Sequence, residues 1–368
     1  MSRDAAEFFA GIGLVRMALQ RAGWHIRFAN DIDPAKFDMY RDNFGGSDFA
    51  LGDIRNVRPE IIPDVTLATA SFPCIDLSLA GNRGGLGGTH SSAYWEFHRI
   101  IEAKGERRPH AVLLENVAGL LSSNGGDDLR SIVASLGKLG YRCDLLLIDA
   151  AHFVPQSRPR LFVIGLQSPP PESGFVPYPD SVRPQSVIQF VRQNPDLSWS
   201  HLRLPPLPPK QSNLASLVER LRPSAPEWWD GWRQAHLFNQ MSAIHKALLR
   251  QLVKSKRLTF ATVYKRVRPS GCRAEVRADG VAGCLRTPRG GSSKQFLIQA
   301  GRGGWRVRNM TAREYARLQG VPDSFKIDVP YNRALFGFGD AVCVPVIQWI
   351  ARNYLNRVLP DTRATRYR

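Results

Sequence analysis

Short apolar runs alternate with helical spacings over the first 166 residues. Residues 5–10 read as a strand that Gly11-Ile12-Gly13 turns into a helix over 14–22, closed by Gly23 in the position glycine favours after a helix. A second strand over 24–29 ends at Asn30-Asp31-Ile32-Asp33, and the spacing predicts a helix over 34–44 before the turn Gly52-Asp53-Ile54. Apolar runs follow at 65–70 and 111–114, then a helix over 129–139 and strands over 143–150 and 161–166. Strands and helices in this alternation predict a doubly wound, mostly parallel α/β sheet, the Rossmann-like class.

From Gln167 the pattern changes. Pro169-Pro170-Pro171 and the proline-rich stretch 205–209 read as linkers or extended arms, because proline fixes φ and lacks a donor. Between and beyond them lie Trp199, Trp228, Trp229 and Trp232, a basic helical pattern over 243–256, and short turn-rich strands to about 299. These predict a smaller, irregular second domain. An apolar segment over 341–355 reads as a helix packing back on the first domain. The expected division is 1–166 for catalysis and cofactor, 167–327 for target recognition, and 328–368 returning to the catalytic domain.

At 368 residues the chain can hold two domains. No uninterrupted apolar run reaches the 18 or so residues of a membrane helix, and the N-terminus lacks a signal-peptide core. The five cysteines (Cys74, Cys143, Cys272, Cys284, Cys343) are odd in number and never form a CxxC pair. That argues against a disulfide framework or a zinc site and predicts a reducing, cytoplasmic setting. Charge is unevenly spread. Residues 1–170 carry 18 Lys+Arg against 19 Asp+Glu, whereas 171–368 carry 32 against 13. A basic second half points to a polyanion partner.

The candidate chemistry sits at predicted strand ends. Cys74 follows Pro73 just after one apolar run, and Glu115, 41 residues on, ends another. Neighbouring parallel strands open onto one crevice, so a thiol and a carboxyl group would face each other there. That pair suits addition to an electron-poor ring whose nitrogen takes a proton. Free cysteines beside strands are more often small core residues, and a nucleophilic thiol needs activation. The glycine turn after Glu7-Phe8-Phe9-Ala10 lets the backbone approach a ligand. Asp31, 24 residues after Glu7, is placed for ribose hydroxyls and Asp53 for an exocyclic amine. Arg158 and Arg160, one residue apart, project to one face if extended and could hold a carboxylate, phosphate or carbonyl.

Taken in order, Phe-Ala-Gly-Ile-Gly, Asn-Asp-Ile-Asp, Gly-Asp-Ile, Pro-Cys, Glu-Asn-Val, Gln-x-Arg-x-Arg, Arg317-Leu318-Gln319-Gly320 and Gly339-Asp340-Ala341-Val342 closely resemble the DNA (cytosine-5)-methyltransferase family, in its bacterial restriction-modification form. The resemblance covers 4–166 and 306–355. It implies a sequence-specific enzyme that moves a methyl group from S-adenosylmethionine to carbon 5 of a flipped-out cytosine, through a covalent adduct with Cys74. Glu115 would engage the ring nitrogen and exocyclic amine, with Arg158 and Arg160 orienting base and loop. Phe9, Ala10, Gly11, Gly13, Asp31, Ile32, Asp53, Ile54, Pro73, Asp340, Ala341 and Val342 would surround the cofactor. Ser78 and Asn116 would serve the substrate side, Asn116 by bracing the Pro73-Cys74 turn. No metal is implied. The partners implied are double-stranded DNA and a cognate restriction endonuclease, for a monomer off the membrane.

The chain departs from the family pattern in three places. Ile75 and Leu77 replace the usual glutamine and aromatic around Asp76, Asp340 replaces the asparagine of a Gly-Asn pair, and Asp31 is a methylene shorter than the common glutamate. Arg266, Arg268, Arg273, Arg277, Arg286 and Arg289 are candidates for DNA contacts. Two other readings keep the same motifs: a transfer-RNA-methylating relative, and a DNA-binding protein on a decayed scaffold.

Overall fold

A computed structural model describes residues 2–73, 92–169, 178–268, 271–287 and 294–361. The chain forms two compact units, 1–149 with 159–207 and 346–368, and 150–158 with 208–345. The expected boundary at 166 therefore falls inside the first unit. The chain leaves that unit at Leu207, within the proline-rich stretch. The segment 328–345 lies in the second unit and 346–361 in the first.

The first unit holds seven strands: β1 (Asp4–Phe8), β2 (His25–Asp31), β3 (Phe49–Leu51), β4 (Leu67–Ala70), β5 (Ala111–Val117), β6 (Arg142–Asp149) and β7 (Pro159–Leu166), in the order β3-β2-β1-β4-β5-β7-β6. The pairs among β1 to β5 are parallel, and β7 runs antiparallel between β5 and β6. Nearly every residue of β1, β4 and β5 is buried. That is why these strands read as continuous apolar runs, as expected when helices cover both faces. Strand order reverses at β1, so the crevice above β1 and β4 is the switch point where such sheets bind ligands. Phe8 packs edge-on against Phe97 at 5.3 Å, within one core that also takes in Phe28, Tyr94, Ile132 and Val163.

The predicted helices form as α1 (Leu14–Gln20), α2 (Pro34–Phe44) and, after α3 (Ser92–Ala103), which the sequence pattern did not predict, α4 (Asp127–Lys138). α2 begins where the sequence says it must. Pro34 occupies the first turn, and Asp33 caps it by accepting from the amides of Ala35 (2.9 Å) and Lys36 (3.3 Å). Gly13 stands at φ 82°, and a Cβ there would lie 2.5 Å from the Phe44 ring, so both backbone and space demand glycine.

The second unit is more regular than the turn-rich sequence predicts. It contains the helices α6 (Gly231–Asn239) and α7 (Ala243–Val253); α5 (Gln185–Gln193) belongs to the first unit. Its four-stranded antiparallel sheet, ordered β11-β10-β8-β9, comprises β8 (Thr259–Arg268), β9 (Gly271–Arg277), β10 (Gln295–Gly301) and β11 (Gly304–Asn309). Its core joins Leu237, Met241 and Leu249 to Val263, Ile298 and Val307.

Within Tyr331–Val358 an 18-residue window reaches a mean hydropathy of 1.6, apolar enough for a membrane although charged and polar residues interrupt the stretch. That window is 67% buried, and α8 (Tyr331–Asp340) gives way to extended backbone at Ala341 before α9 (Val344–Ile350). It is core helix in two pieces. Among the described residues no His, Cys, Asp and Glu cluster could hold a metal ion.

Candidate active site

The glycine turn after β1 is fastened to the end of β2. Asp31 accepts from the Gly11 amide through Oδ2 (2.7 Å) and from the Asp33 amide through Oδ1 (2.9 Å), and its carbonyl accepts from Gly52 (2.9 Å). Burial pushes the Asp31 carboxyl up, against the pull of Lys36 and those amides. A carboxylate has about four acceptor positions, so each oxygen keeps room for a ribose hydroxyl. Beside it Ile32 is 63% exposed, an uncovered apolar side chain at a strand end. Phe9 adopts φ 57°, the left-handed region that costs a non-glycine residue about 1–3 kcal/mol. Asp53 caps a short turn and pairs with Arg55 (2.6 Å), and these hydrogen bonds hold its carboxyl below the usual range. Ala10 and Ile54 are buried beneath the turns, and Pro73 is exposed.

Glu7 is absent from the cofactor set implied by sequence, yet it lies one residue before the end of β1 and is 1% exposed. Neither carboxyl oxygen has a hydrogen-bond partner of good geometry among the described residues. Burial pushes it from 4.5 up to about 8, against the opposing pull of Arg16, itself anchored to Tyr40 (2.7 Å) and Asp48 (2.7 Å). A folded-state proton held to about pH 8 but released near 4.5 on unfolding means that stability falls as pH rises through that window. Glu7→Gln removes this slope. In melts across the window its Tm should gain on wild type as pH rises, and parallel Tm curves would refute the assignment.

On the other side of the crevice, β4 and β5 pair in parallel with Ala70 opposite Leu114. Glu115 thus comes one residue beyond the register pair and Pro73 three residues beyond it. Glu115 accepts from Nε of Arg160 at 3.0 Å, with side-chain exposures of 9% and 16%. β7 delivers Arg160 beside β5, opposite Val117. Asn116 donates to the Phe72 carbonyl (3.2 Å) and accepts from the Val117 amide (2.9 Å), tying β5 to the backbone just before Pro73. Cys74 and Ser78, with the divergent Ile75 and Leu77, lie outside the described residues.

Arg158 and Arg160 do not act as a pair on one face. β7 begins at Pro159, and Arg158, before it, is 2% exposed in the second unit. Its guanidinium donates to the carbonyls of Leu285 (2.8 Å), Gly339 (3.2 Å) and Ala341 (2.8 Å). Gln319 reaches two of the same turns, donating to Phe338 (2.7 Å) and Ala341 (3.0 Å), and Gln156 donates to Leu318 (2.7 Å). Three motifs distant in sequence thus form one buried brace around 339–341, leaving Asp340 exposed and Val342 buried. Arg158→Met orphans those carbonyls and should lower stability by about 2–4 kcal/mol. Calorimetry checks this, and an unchanged Tm would reassign Arg158.

A sheet of this order, with a glycine turn, strand-end acids and a carboxyl group at its switch point, defines a protein of the Rossmann-like class that binds its ligand at the strand ends. The fold matches the crystal structure of S. pombe Dnmt2 methyltransferase over 97% of this chain and 99% of that one, with a TM-score of 0.63 at 18% identity. The chain belongs to the family of C-5 cytosine-specific DNA methylases, which matches residues 4–356. It is a DNA (cytosine-5-)-methyltransferase. Type II methyltransferase M.NgoBI of Neisseria gonorrhoeae is 28% identical over 93% of this chain and 90% of its own length. Type II methyltransferase M.HaeII of Haemophilus aegyptius is 28% identical over 97% and 94%.

Proposed function

We propose that this enzyme methylates cytosine within a defined sequence of double-stranded DNA, with S-adenosylmethionine as donor and Cys74 as covalent nucleophile. The observation that carries this is the Glu115–Arg160 pair on the strand beside the one leading to Pro73, with Asn116 fixing the intervening backbone.

The residues present fit the donor. The Gly11 turn, the Asp31 carboxylate with spare acceptor positions and the uncovered Ile32 suit a ribose and an adenine ring, and Phe9 and Pro73 flank the same strand ends. The family resemblance assigns Asp340, Ala341 and Val342 to the same cofactor. The group supplies a methyl on a sulfonium, an electrophile that unactivated cytosine carbon 5 cannot attack.

The chain supplies the activation. The Cys74 thiolate bonds to carbon 6 as Glu115 engages ring nitrogen 3 and the exocyclic amine, so electron density moves to carbon 5. Once carbon 5 carries the methyl, loss of its proton returns the electrons to the ring and expels the thiolate. Arg160 holds the Glu115 carboxyl group in register, Ser78 contacts the substrate, and Arg158 positions the 339–341 turn. Cytosine must leave the duplex stack to reach this site, at about a few kcal/mol. Arginines of the second unit would offset that through phosphate contacts. Arg273 and Arg286 are exposed there, whereas Arg266 and Arg277 pair with Glu275 and Asp279. The second unit would read the target. The reading extends to a monomer acting in the cytoplasm beside a cognate restriction endonuclease.

Expression in cells without cytosine methylation, followed by bisulfite sequencing beside Cys74→Ala, tests this. Protected cytosines should recur in one short sequence and vanish in the variant. Protection of transfer RNA alone, or of nothing, would reject the reading.

A further inference from the structure

The second unit holds a hollow of about 430 Å³ whose lining is aromatic and cationic, without an acidic residue. Trp229 meets Phe296 edge-on at 4.9 Å, and Trp232 lies parallel to His236, one turn along α6, at 5.6 Å and 11°. Trp232 is nonetheless 75% exposed. An indole that open at the mouth of a pocket leaves a ring face uncovered, which a stable fold does not need. Three cations surround these rings. Arg233 sits over Trp229 at 4.5 Å, Lys265 over Phe296 at 5.7 Å, and Lys294 is held by Asn332 at 3.0 Å. Among the described residues none of the three pairs with a carboxylate, so their charge is available to a ligand.

Flat rings with unpaired cations select a planar group attached to an anion. Duplex DNA offers phosphates and base edges but no base faces, so a paired nucleotide would leave the indole unused. The volume falls in the range of small-ligand sites. We propose that this hollow is a second nucleotide site, in which the base of an unpaired deoxynucleotide stacks on Trp232 while Arg233, Lys265 and Lys294 hold its phosphates. The inference rests on DNA being the substrate. It adds a place for a nucleotide displaced from the duplex, separate from that of the methylated base.

The test uses the full chain and two probes: a short oligothymidine strand and a strand of equal length in which every base is replaced by an abasic site. Anisotropy and tryptophan quenching should show the base-bearing strand binding about tenfold tighter. Trp232→Ala should erase that gap, leave the abasic strand's affinity unchanged and keep the wild-type Tm, as expected for an exposed side chain. Equal affinity for both probes in the wild type, equal weakening of both in the variant, or no change in the variant would overturn the proposal. Duplex methylation assayed in parallel separates the two readings. Methylation without the base-dependent gap sinks only this inference, and the gap without methylation sinks only the assigned activity.

Discussion

Cys74→Ala should lower methyl transfer by about four orders of magnitude or more, because removing a covalent nucleophile removes the pathway and leaves only binding and orientation. The loss should appear in the rate of the chemical step, with affinity for duplex DNA retained. The mechanism provides a sharper readout than rate alone. Its last step needs a proton on carbon 5, so cytosine carrying fluorine there should halt after methyl transfer as a protein–DNA adduct. Wild type should form a complex that survives denaturation, and Cys74→Ala should form none. Glu115→Gln keeps the thiol but blunts activation of the ring. Its rate should fall by about two to three orders of magnitude, the usual span for a general acid–base group, with slower adduct formation. A denaturation-resistant complex in Cys74→Ala would place the nucleophile elsewhere. A Glu115→Gln enzyme as fast as wild type would leave the Arg160 pair as scaffolding.

The crevice was legible because fully buried parallel strands write themselves as unbroken apolar runs. Ala70 and Leu114, the last apolar residues of two such runs, are register partners. Pro34 and Asp33 announce α2 through local chemistry alone. What the pattern could not reveal is polar and long-range. Arg158 and Arg160 look equivalent in sequence, yet one braces carbonyls around 339–341 and the other pairs with Glu115, since only the strand start at Pro159 separates their surroundings. Glu7 reads as a strand-end acid like Asp31, but its position one residue earlier buries it. The segment 178–207 lacks strand or sheet-facing periodicity, so a sequence reading assigns it to the proline-rich region beyond 166. Backbone bonds from Cys143 and Leu147, the apolar face of α5 and one buried arginine attach it to the first unit.

That arginine carries the largest expected effect on stability. Arg183 and Asp144 are both 0% exposed and joined by two hydrogen bonds, Nε to Oδ1 at 2.9 Å and Nη2 to Oδ2 at 2.6 Å. The same guanidinium donates to Asp180 (2.8 Å) and to the Leu202 carbonyl (2.9 Å), so a single side chain fixes both ends of the segment to β6. Arg183→Met strands the Asp144 carboxylate in the core and should cost about 3–5 kcal/mol. At about 2–4 °C per kcal/mol for a unit of this size, Tm should fall by about 10 °C. Replacing both partners tests the cause. Asp144→Leu with Arg183→Met removes the buried charge together with its counterion, so the double variant should melt above Arg183→Met alone. If the double variant melts lower still, the cost lies in lost packing and in the unpaired Leu202 carbonyl rather than in the stranded carboxylate. The chemical step should survive in either variant below its melting temperature, because Asp144 pairs across β7 with Ile164, four residues along the strand from Arg160. Loss of methyl transfer in a still-folded Arg183→Met enzyme would show instead that the sheet edge sets the Arg160–Glu115 geometry.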